Sequence, residues 1–413
     1  MKNKILIIED SSTVSRLQQT IAFQSGYEVD VAMSLREAAS LVKNSPQPYF
    51  VAIADYVLPD AARGESIDFC IRENIPTIAM TGLLSNAIRE HILEREVIDY
   101  IPKENIQAFD YLRKLLVQLQ KNASIKVLVV DDSIATLNYI TTLLERHYFN
   151  VFNANNGVEA LEMTEQHPDI KLVITDHEMP EMDGVSLTTH LRKNFSNENM
   201  GIIGVSSSDN KALSARFIKN GANDYLAKPF CTEEFYCRVL QNITLLEQVE
   251  TIHRQANTDY LTQLPNRRYF FHVCKNMINK RPSTERMFAI MDIDHFKSVN
   301  DRYGHDIGDI VLQHSATLLQ RHFGEQCIAR FGGEEFVVFF ENTSRNEALR
   351  VLEGFRVDLQ DTAVSVVQAT VKVTVSIGFA SSHNLGLNEL IKIADQRLYT
   401  AKEIGRNQIV SSD

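Results

Sequence analysis

"IKVLVVDDS", residues 125–133, is a run of apolar, mostly β-branched residues that ends in two acids and a hydroxyl. Such a run reads as a parallel strand buried on both faces, whose carboxyl end feeds a loop and then a helix. The pattern stands once before, as "KILIIEDSS" at residues 4–12. A second strand ends at Asp55 in "FVAIADYVLP" (50–59), and its counterpart ends at Asp176 in "IKLVITDHEMP" (170–180). Asp10 to Asp131 and Asp55 to Asp176 are both displaced by 121 residues, which marks a duplicated domain rather than a solenoid.

Each copy continues alike. "PTIAMTG" puts Thr81 after a strand and "IIGVSSS" puts Ser206 there, while "DYIPK" ends in Lys103 and "DYLAKPF" in Lys228. From hydroxyl to lysine the spacing is 22 residues in both copies. Intervening stretches such as "TLNYITTLLERHY" and "GVEALEMTEQH" carry apolar residues at helical spacing, so strand and helix alternate in a doubly wound pattern. In open sheets of this kind ligands bind beyond the carboxyl ends of the strands. Paired acids, a lone Asp, a hydroxyl and a Lys therefore converge at one edge of each copy. One strand-ending acid alone reads equally well as a helix cap; five matched positions, twice over, favour a site. The set suits phosphoryl transfer to a carboxylate. Paired acids offer hard oxygen ligands to Mg²⁺, the lone Asp is the nucleophile, and the hydroxyl and ammonium engage phosphoryl oxygens.

Length and composition agree with several soluble domains. At 413 residues the chain has room for two to four domains, and 44% hydrophobic with 23% charged residues fits a globular protein. A net charge of -11 opposes general attraction to nucleic acid. The start, "MKNKILIIED", lacks the apolar stretch of a signal peptide, and no run approaches the roughly 18 apolar residues of a membrane span. Five cysteines without C-x-x-C spacing indicate neither zinc nor a disulfide framework, so a reduced, cytoplasmic protein is expected.

The second copy runs on through "TEEFYCRVLQNITLLEQVETIHRQAN" (232–257), with Phe235, Val239, Ile243, Leu246 and Val249 at helical spacing. This stripe predicts a last helix continuing as a stalk, with core and coiled-coil readings equally weighted. Beyond it, "RMFAIMDIDHFKSVNDRYGHDIGD" (286–309) reads as an apolar strand into Asp292 and Asp294, a polar loop and a long amphipathic helix. "RFGGEEFVVFF" (330–340) reads as a hairpin whose tight turn uses Gly332 and Gly333. Alone, Glu334 and Glu335 would be a solvated tip. Together with Asp292 they can share Mg²⁺ with a nucleotide triphosphate, and Lys297, Lys402 and Arg406 can neutralise its phosphates. "TVKVTVSIGFA" (370–380) alternates with period two, predicting a half-buried strand. The hairpin makes part of this sheet antiparallel, giving an α/β sandwich.

On these motifs the two copies resemble receiver domains of two-component response regulators. The run "DYLTQLPNRR", "DIDHFKSVNDRYGHDIGD", "RFGGEEF" and "AKEIGRN" resembles a GGDEF-type diguanylate cyclase. The expected fold is α/β, with two flavodoxin-like doubly wound receiver domains over 1–122 and 123–250 and a nucleotidyl-cyclase-like GGDEF sandwich over 251–413. The resemblance implies Asp55 and Asp176 as phospho-acceptors, with Glu9, Asp10, Asp131 and Asp132 around Mg²⁺. It implies Thr81 with Lys103, and Ser206 with Lys228, as switch pairs, and Tyr100 and Tyr225 as aromatic switch positions. The second copy keeps the family's Met179-Pro180 and Lys228-Pro229 steps, which favours Asp176 as the regulatory acceptor. In the third domain the resemblance implies Asp292, the Ile293 carbonyl, Glu334 and Glu335 around Mg²⁺ or Mn²⁺. It implies Asn300 and Asp309 on guanine, His305 at a substrate position, and Lys297, Lys402 and Arg406 on the triphosphate of GTP. It further implies a homodimer and a histidine kinase or phosphotransfer protein as phosphate donor. Many relatives carry an Arg-x-x-Asp product-inhibition site where this chain has Phe323 and Gln326, so weak or absent inhibition is expected there.

Overall fold

The protein is described from a computed structural model over residues 3–82, 85–103, 106–207, 211–280, 285–366 and 369–412. The apolar runs become strands, buried along the centre of each sheet and partly exposed at its edges. In the first copy these are β1 (Lys4–Ile8), β2 (Glu28–Ala32), β3 (Val51–Asp55), β4 (Thr77–Thr81) and β5 (Asp99–Pro102), all parallel in the order β2-β1-β3-β4-β5. The second copy repeats this with β6 (Lys126–Val130), β7 (Asn150–Ala154), β8 (Ile170–Asp176), β9 (Gly201–Ser206) and β10 (Asp224–Ala227), in the order β7-β6-β8-β9-β10. This is the flavodoxin-like order, in which the central strands reverse direction of winding and leave a crevice at their carboxyl ends. The residues after the paired acids begin the next helices. Ser11 caps Ser12–Gln24 by accepting from Val14 N–H, and Ser133 caps Ile134–Arg146 by accepting from Thr136 N–H. The serines, not the acids, therefore satisfy the helix starts.

By contacts the chain divides into units Met1–Glu250 and Thr251–Asp413. Within the first unit the two sheets share a joint. Buried His147, just past the helix Ile134–Arg146, sets its Nε2 3.0 Å from the Ile98 carbonyl and its ring against Tyr236, centroids 3.7 Å apart. Asn122 donates to the His147 carbonyl at 2.8 Å, and Tyr148 stacks on Phe50 at 4.4 Å while its hydroxyl donates to the Phe50 carbonyl. The helix Thr232–Asn257 buries Phe235, Val239, Ile243 and Leu246 in the core of the second copy, whereas Val249 is half-buried. For those four residues the stripe is core.

The second unit contains β11 (Arg286–Ile293), β12 (Cys327–Gly332), β13 (Glu335–Phe340), β14 (Val364–Val366), β15 (Ala369–Val371), β16 (Val375–Ser382) and β17 (Ile409–Val410). Its main sheet runs β12-β13-β11-β16-β17, with β11 antiparallel to both neighbours. Two expectations change here. The period-two stretch is split between two strands, Thr370 and Val371 ending β15 and β16 beginning only at Val375, and the first six residues of β16 are all buried. Both faces of β16 are covered, one by the cluster of Leu319, Phe340 and Phe355 and the other by Leu390, Ala394 and Leu398. The polar stretch expected as a loop after Asp294 forms a short helix, Phe296–Tyr303, separated from the expected long helix, His305–Phe323, where Gly304 takes φ +86°.

Candidate active site

The centre of the second unit is built by register. Asp292, next to last on β11, pairs across the sheet with Glu335 on β13 and with Ser376 on β16. Glu334 sits in the turn between β12 and β13, and its carbonyl accepts weakly from Ile293 N–H at 3.4 Å. Lys402, in the last turn of the helix Leu387–Glu403, places Nζ 2.9 Å from Asp292 Oδ2. Burial pushes the Asp292 carboxyl above the ordinary carboxylate range; Lys402 offsets part of this, while Glu334 and Glu335 add to it. Asp292, Glu334 and Glu335 together offer the hard oxygen donors that a divalent cation takes, at the open end of a strand.

The turn is fixed by groups that the motif reading did not single out. Arg330, itself buried, donates through Nε and Nη2 to the Gly333 carbonyl at 3.0 and 2.6 Å and through Nη1 to Asp259 at 2.8 Å. Burial opposes the charge on Asp259, but Arg330 and Thr262 hold its carboxyl below the usual range. Gly332 adopts φ +141° and Gly333 φ +53°, with open space where a Cβ would stand, so backbone conformation selects glycine at Gly332. Asp294, the second acid at the end of β11, does not join the set of Asp292, Glu334 and Glu335. It accepts from Thr374 Oγ1 at 2.7 Å, Ser376 Oγ at 2.6 Å and Asn407 N–H at 3.0 Å, all on its two oxygens. It is a brace for the sheet, and by holding Asn407 it anchors the turn that carries Arg406.

Asn300 has a buried Oδ1 without a hydrogen-bond partner, facing Gly308, where a Cβ would stand 1.9 Å away. A glycine at 308 is thus required by the asparagine's placement. Lys297, His305, Asp309 and Arg406 are exposed on the surrounding helices and turn. Phe323 is buried against Phe340 and Phe355. Gln326 accepts from Glu341 N–H at 2.7 Å and donates to Thr343 Oγ1 at 3.3 Å, closing the base of the hairpin.

In the first unit both expected clusters form. Lys103 Nζ donates to Glu9 and, at 2.6 Å, to Asp55; Lys228 Nζ donates to Asp131 at 2.8 Å and to Asp176 at 2.6 Å. Lys103 N–H donates to the Thr81 carbonyl and Lys228 N–H to the Ser206 carbonyl, each at 2.8 Å, which sets each lysine beside its hydroxyl residue along the sheet. Tyr100 and Tyr225 are half-buried on β5 and β10, and Lys228–Pro229 is cis. Burial raises the Glu9 and Asp176 carboxyls, opposed by their lysines. Burial also works against charge on Lys228, yet Asp131 and Asp176 outweigh it and raise its pKa. Asp10 and Asp132 are exposed beside these sets. Among the described residues, Glu9, Asp10 and Asp55 bring one ligand oxygen each within 4.8 Å of the others, a set able to hold a cation.

This geometry has close counterparts. The family model "Diguanylate cyclase, GGDEF domain" matches residues 256–408, and "Response regulator receiver domain" matches residues 127–240. Over 470 aligned positions, 99% of both chains, the protein is 27% identical to Response regulator PleD of Caulobacter vibrioides. It is 34% identical over 187 residues, 42% of this chain and 50% of the relative, to Diguanylate cyclase A of Treponema denticola. A solved two-component system response regulator/GGDEF domain protein is 41% identical, with a TM-score of 0.53, covering 60% of this chain and all of that one. The chain belongs to the GGDEF diguanylate cyclases that carry a response regulator receiver domain. It is a diguanylate cyclase, and no helix among the described residues is long and apolar enough to cross a membrane.

Proposed function

We propose that the protein is a cytosolic, receiver-controlled enzyme that condenses two GTP into cyclic di-GMP and two pyrophosphates when two chains bring their third domains face to face. The domains are receivers over 1–122 and 123–250 and a cyclase over 251–413. The observation that carries the reading is the grouping of Asp292, Glu335 and Lys402 at one strand end beside a turn that Arg330 holds.

Asp292, the Ile293 carbonyl and Glu334 would hold Mg²⁺ or Mn²⁺, with Glu335 at a second position. The bound ion would supply charge neutralisation on the triphosphate. Asn300 offers its unpartnered oxygen to guanine N–H donors, with Asp309 as second acceptor and His305 nearby on the same helix start. Lys297, Lys402 and Arg406 bind phosphate oxygens. Glu334 takes the proton of a 3′-hydroxyl as that oxygen bonds to the α-phosphorus of the facing GTP and pyrophosphate leaves. Two such displacements close the ring. Each domain holds one GTP, so orientation of two domains supplies much of the rate.

In the receivers Asp176 is the favoured phospho-acceptor and Asp55 the second, with a histidine kinase or phosphotransfer protein as donor. Glu9 and Asp10, and Asp131 and Asp132, serve the metal; Thr81 and Lys103, and Ser206 and Lys228, take the phosphoryl oxygens while Tyr100 and Tyr225 report it. Phosphorylation shifts the population toward the dimer. With Phe323 in the core and Gln326 occupied in the hairpin, product inhibition at that place is lost. The test is Mg²⁺-GTP with wild type, Glu334→Ala and Asp176→Asn, with and without beryllofluoride, across protein concentrations. Cyclic di-GMP should vanish in E334A, and D176N should lose the beryllofluoride gain. Equal specific activity in every state of the receivers would overturn the control mechanism.

A further inference from the structure

Outside the nucleotide site, two sulfurs in the second unit stand close together. Cys274, on the helix Arg267–Lys280, and Cys327, first residue of β12, have Sγ atoms 3.8 Å apart although 53 residues separate them in the chain. Cys274 is fully buried among Phe270, Phe288 and Phe339, while Cys327 is partly exposed. One thiol is thus reachable from solvent and the other waits directly behind it. The remaining cysteines differ: Cys70 is buried in the first unit, and Cys231 and Cys237 are exposed near the start of the helix Thr232–Asn257.

We infer that Cys274 and Cys327 form a peroxide-oxidisable dithiol, with Cys327 as the thiol attacked and Cys274 as the resolving thiol. The Cys327 thiolate attacks one oxygen of a hydroperoxide, the O–O bond breaks, and Cys327 becomes a sulfenic acid as hydroxide or alkoxide leaves. The Cys274 thiol then attacks that sulfur, its proton passing to the departing oxygen, so a disulfide forms and water is released. The peroxide is the two-electron oxidant and the two thiols are together the reductant. The order follows from access, since an oxidant reaches Cys327 first. It also follows from polarity, because the hydrogen bond from Cys274 lowers the Cys327 pKa. The sulfurs must close from 3.8 Å to the roughly 2.05 Å of a disulfide, which side-chain rotation and a small strand shift can supply.

The position gives the bond a mechanical meaning. The helix already grips β12 through Phe270 and Phe271 on Phe331, with ring centroids 5.3 and 5.7 Å apart, and Arg267 lies over Phe331. A disulfide would tie the first residue of β12, the strand that leads into Gly332 and Gly333, covalently to that helix.

The experiment uses the full chain carrying Cys231→Ser and Cys237→Ser, so that the exposed thiols cannot compete. After hydrogen peroxide and alkylation, a non-reducing tryptic digest should contain Tyr269–Lys275 linked to His322–Arg330, two hydrogens lighter than the separate peptides. Dithiothreitol should abolish the species. Adding Cys274→Ala should leave Cys327 as a sulfenic acid that dimedone traps, with the fold checked by circular dichroism. Absence of the linked peptide in the parent protein, whether the thiols stay reduced or Cys327 is trapped by dimedone with Cys274 present, would overturn the inference.

Discussion

Lys402 Nζ lies 2.9 Å from Asp292 Oδ2, so a cation from the end of a helix already occupies one face of the strand-end carboxylate. The lysine has two partners to serve, since the same ammonium is suited to a triphosphate. Lys402→Met removes the competitor for the carboxylates and one phosphate contact at once. Mn²⁺ should then bind the nucleotide-free protein several-fold more tightly, by the ~1 kcal/mol of a partly exposed ion pair. The KM for GTP should rise about tenfold in the same variant, the worth of one charge-assisted hydrogen bond. Manganese titration by electron paramagnetic resonance and steady-state kinetics read the two effects. Parallel weakening of both would show that Lys402 merely holds the site together.

The buried oxygen of Asn300 depends on a neighbour with no side chain. A Cβ at position 308 would stand 1.9 Å from Asn300 Oδ1, so Gly308→Ala must push the amide aside. Loss of one base contact should raise the KM for GTP by about tenfold, with a smaller change in kcat. Inosine triphosphate lacks the exocyclic amine, and the variant should discriminate against it less than wild type does. Unaltered discrimination would remove Asn300 from the base pocket.

Much of this was legible because it repeats. The 121-residue displacement exposes both strand-end clusters of the first unit, and the order of strand, acid, helix and hydroxyl dictates the parallel sheets. The hairpin turn was legible through its two glycines. What escaped were residues whose role lies in contacts distant along the chain. Arg330 and Asp259 meet across 71 residues, and Asp294 finds Asn407 across 113. Nothing in local periodicity separates Asp292, which faces the site, from Asp294, which is consumed by Thr374, Ser376 and the Asn407 backbone. The buried β16 was misjudged because alternation reports only one face, while a helix had come to cover the other.

Phe323 is a core residue, which limits what a reverse substitution can do. Its ring lies 6.0 Å from Phe340 and 5.7 Å from Phe355, so Phe323→Arg would remove aromatic packing and bury a guanidinium. The loss should be about 3 kcal/mol or more of stability. Paired with Gln326→Asp it should also strip the hairpin of the amide that donates to Thr343. The double variant should melt several degrees lower by calorimetry and gain no cyclic di-GMP inhibition. Appearance of tight inhibition in a well-folded double variant would mean that the site was only two side chains from function.

The joint between the two parallel sheets should make the first unit acid-sensitive. Burial lowers the His147 pKa to about 4, while the Ile98 carbonyl favours the charged ring and Arg146 opposes it. In the unfolded chain the imidazole titrates near the ordinary value of about 6.5, so the unfolded state binds the proton first as pH falls. The sign is therefore fixed: stability is present in full above that value and drains away as pH drops toward about 4, by at most about 1.4 kcal/mol per pH unit. His147→Gln removes this titration while keeping an amide able to reach a carbonyl. Urea unfolding of the full chain between pH 7 and pH 4, followed by tyrosine fluorescence, should show a shallower pH slope for the variant than for wild type. Identical slopes would mean that the ring takes up its proton in the folded joint as readily as in water.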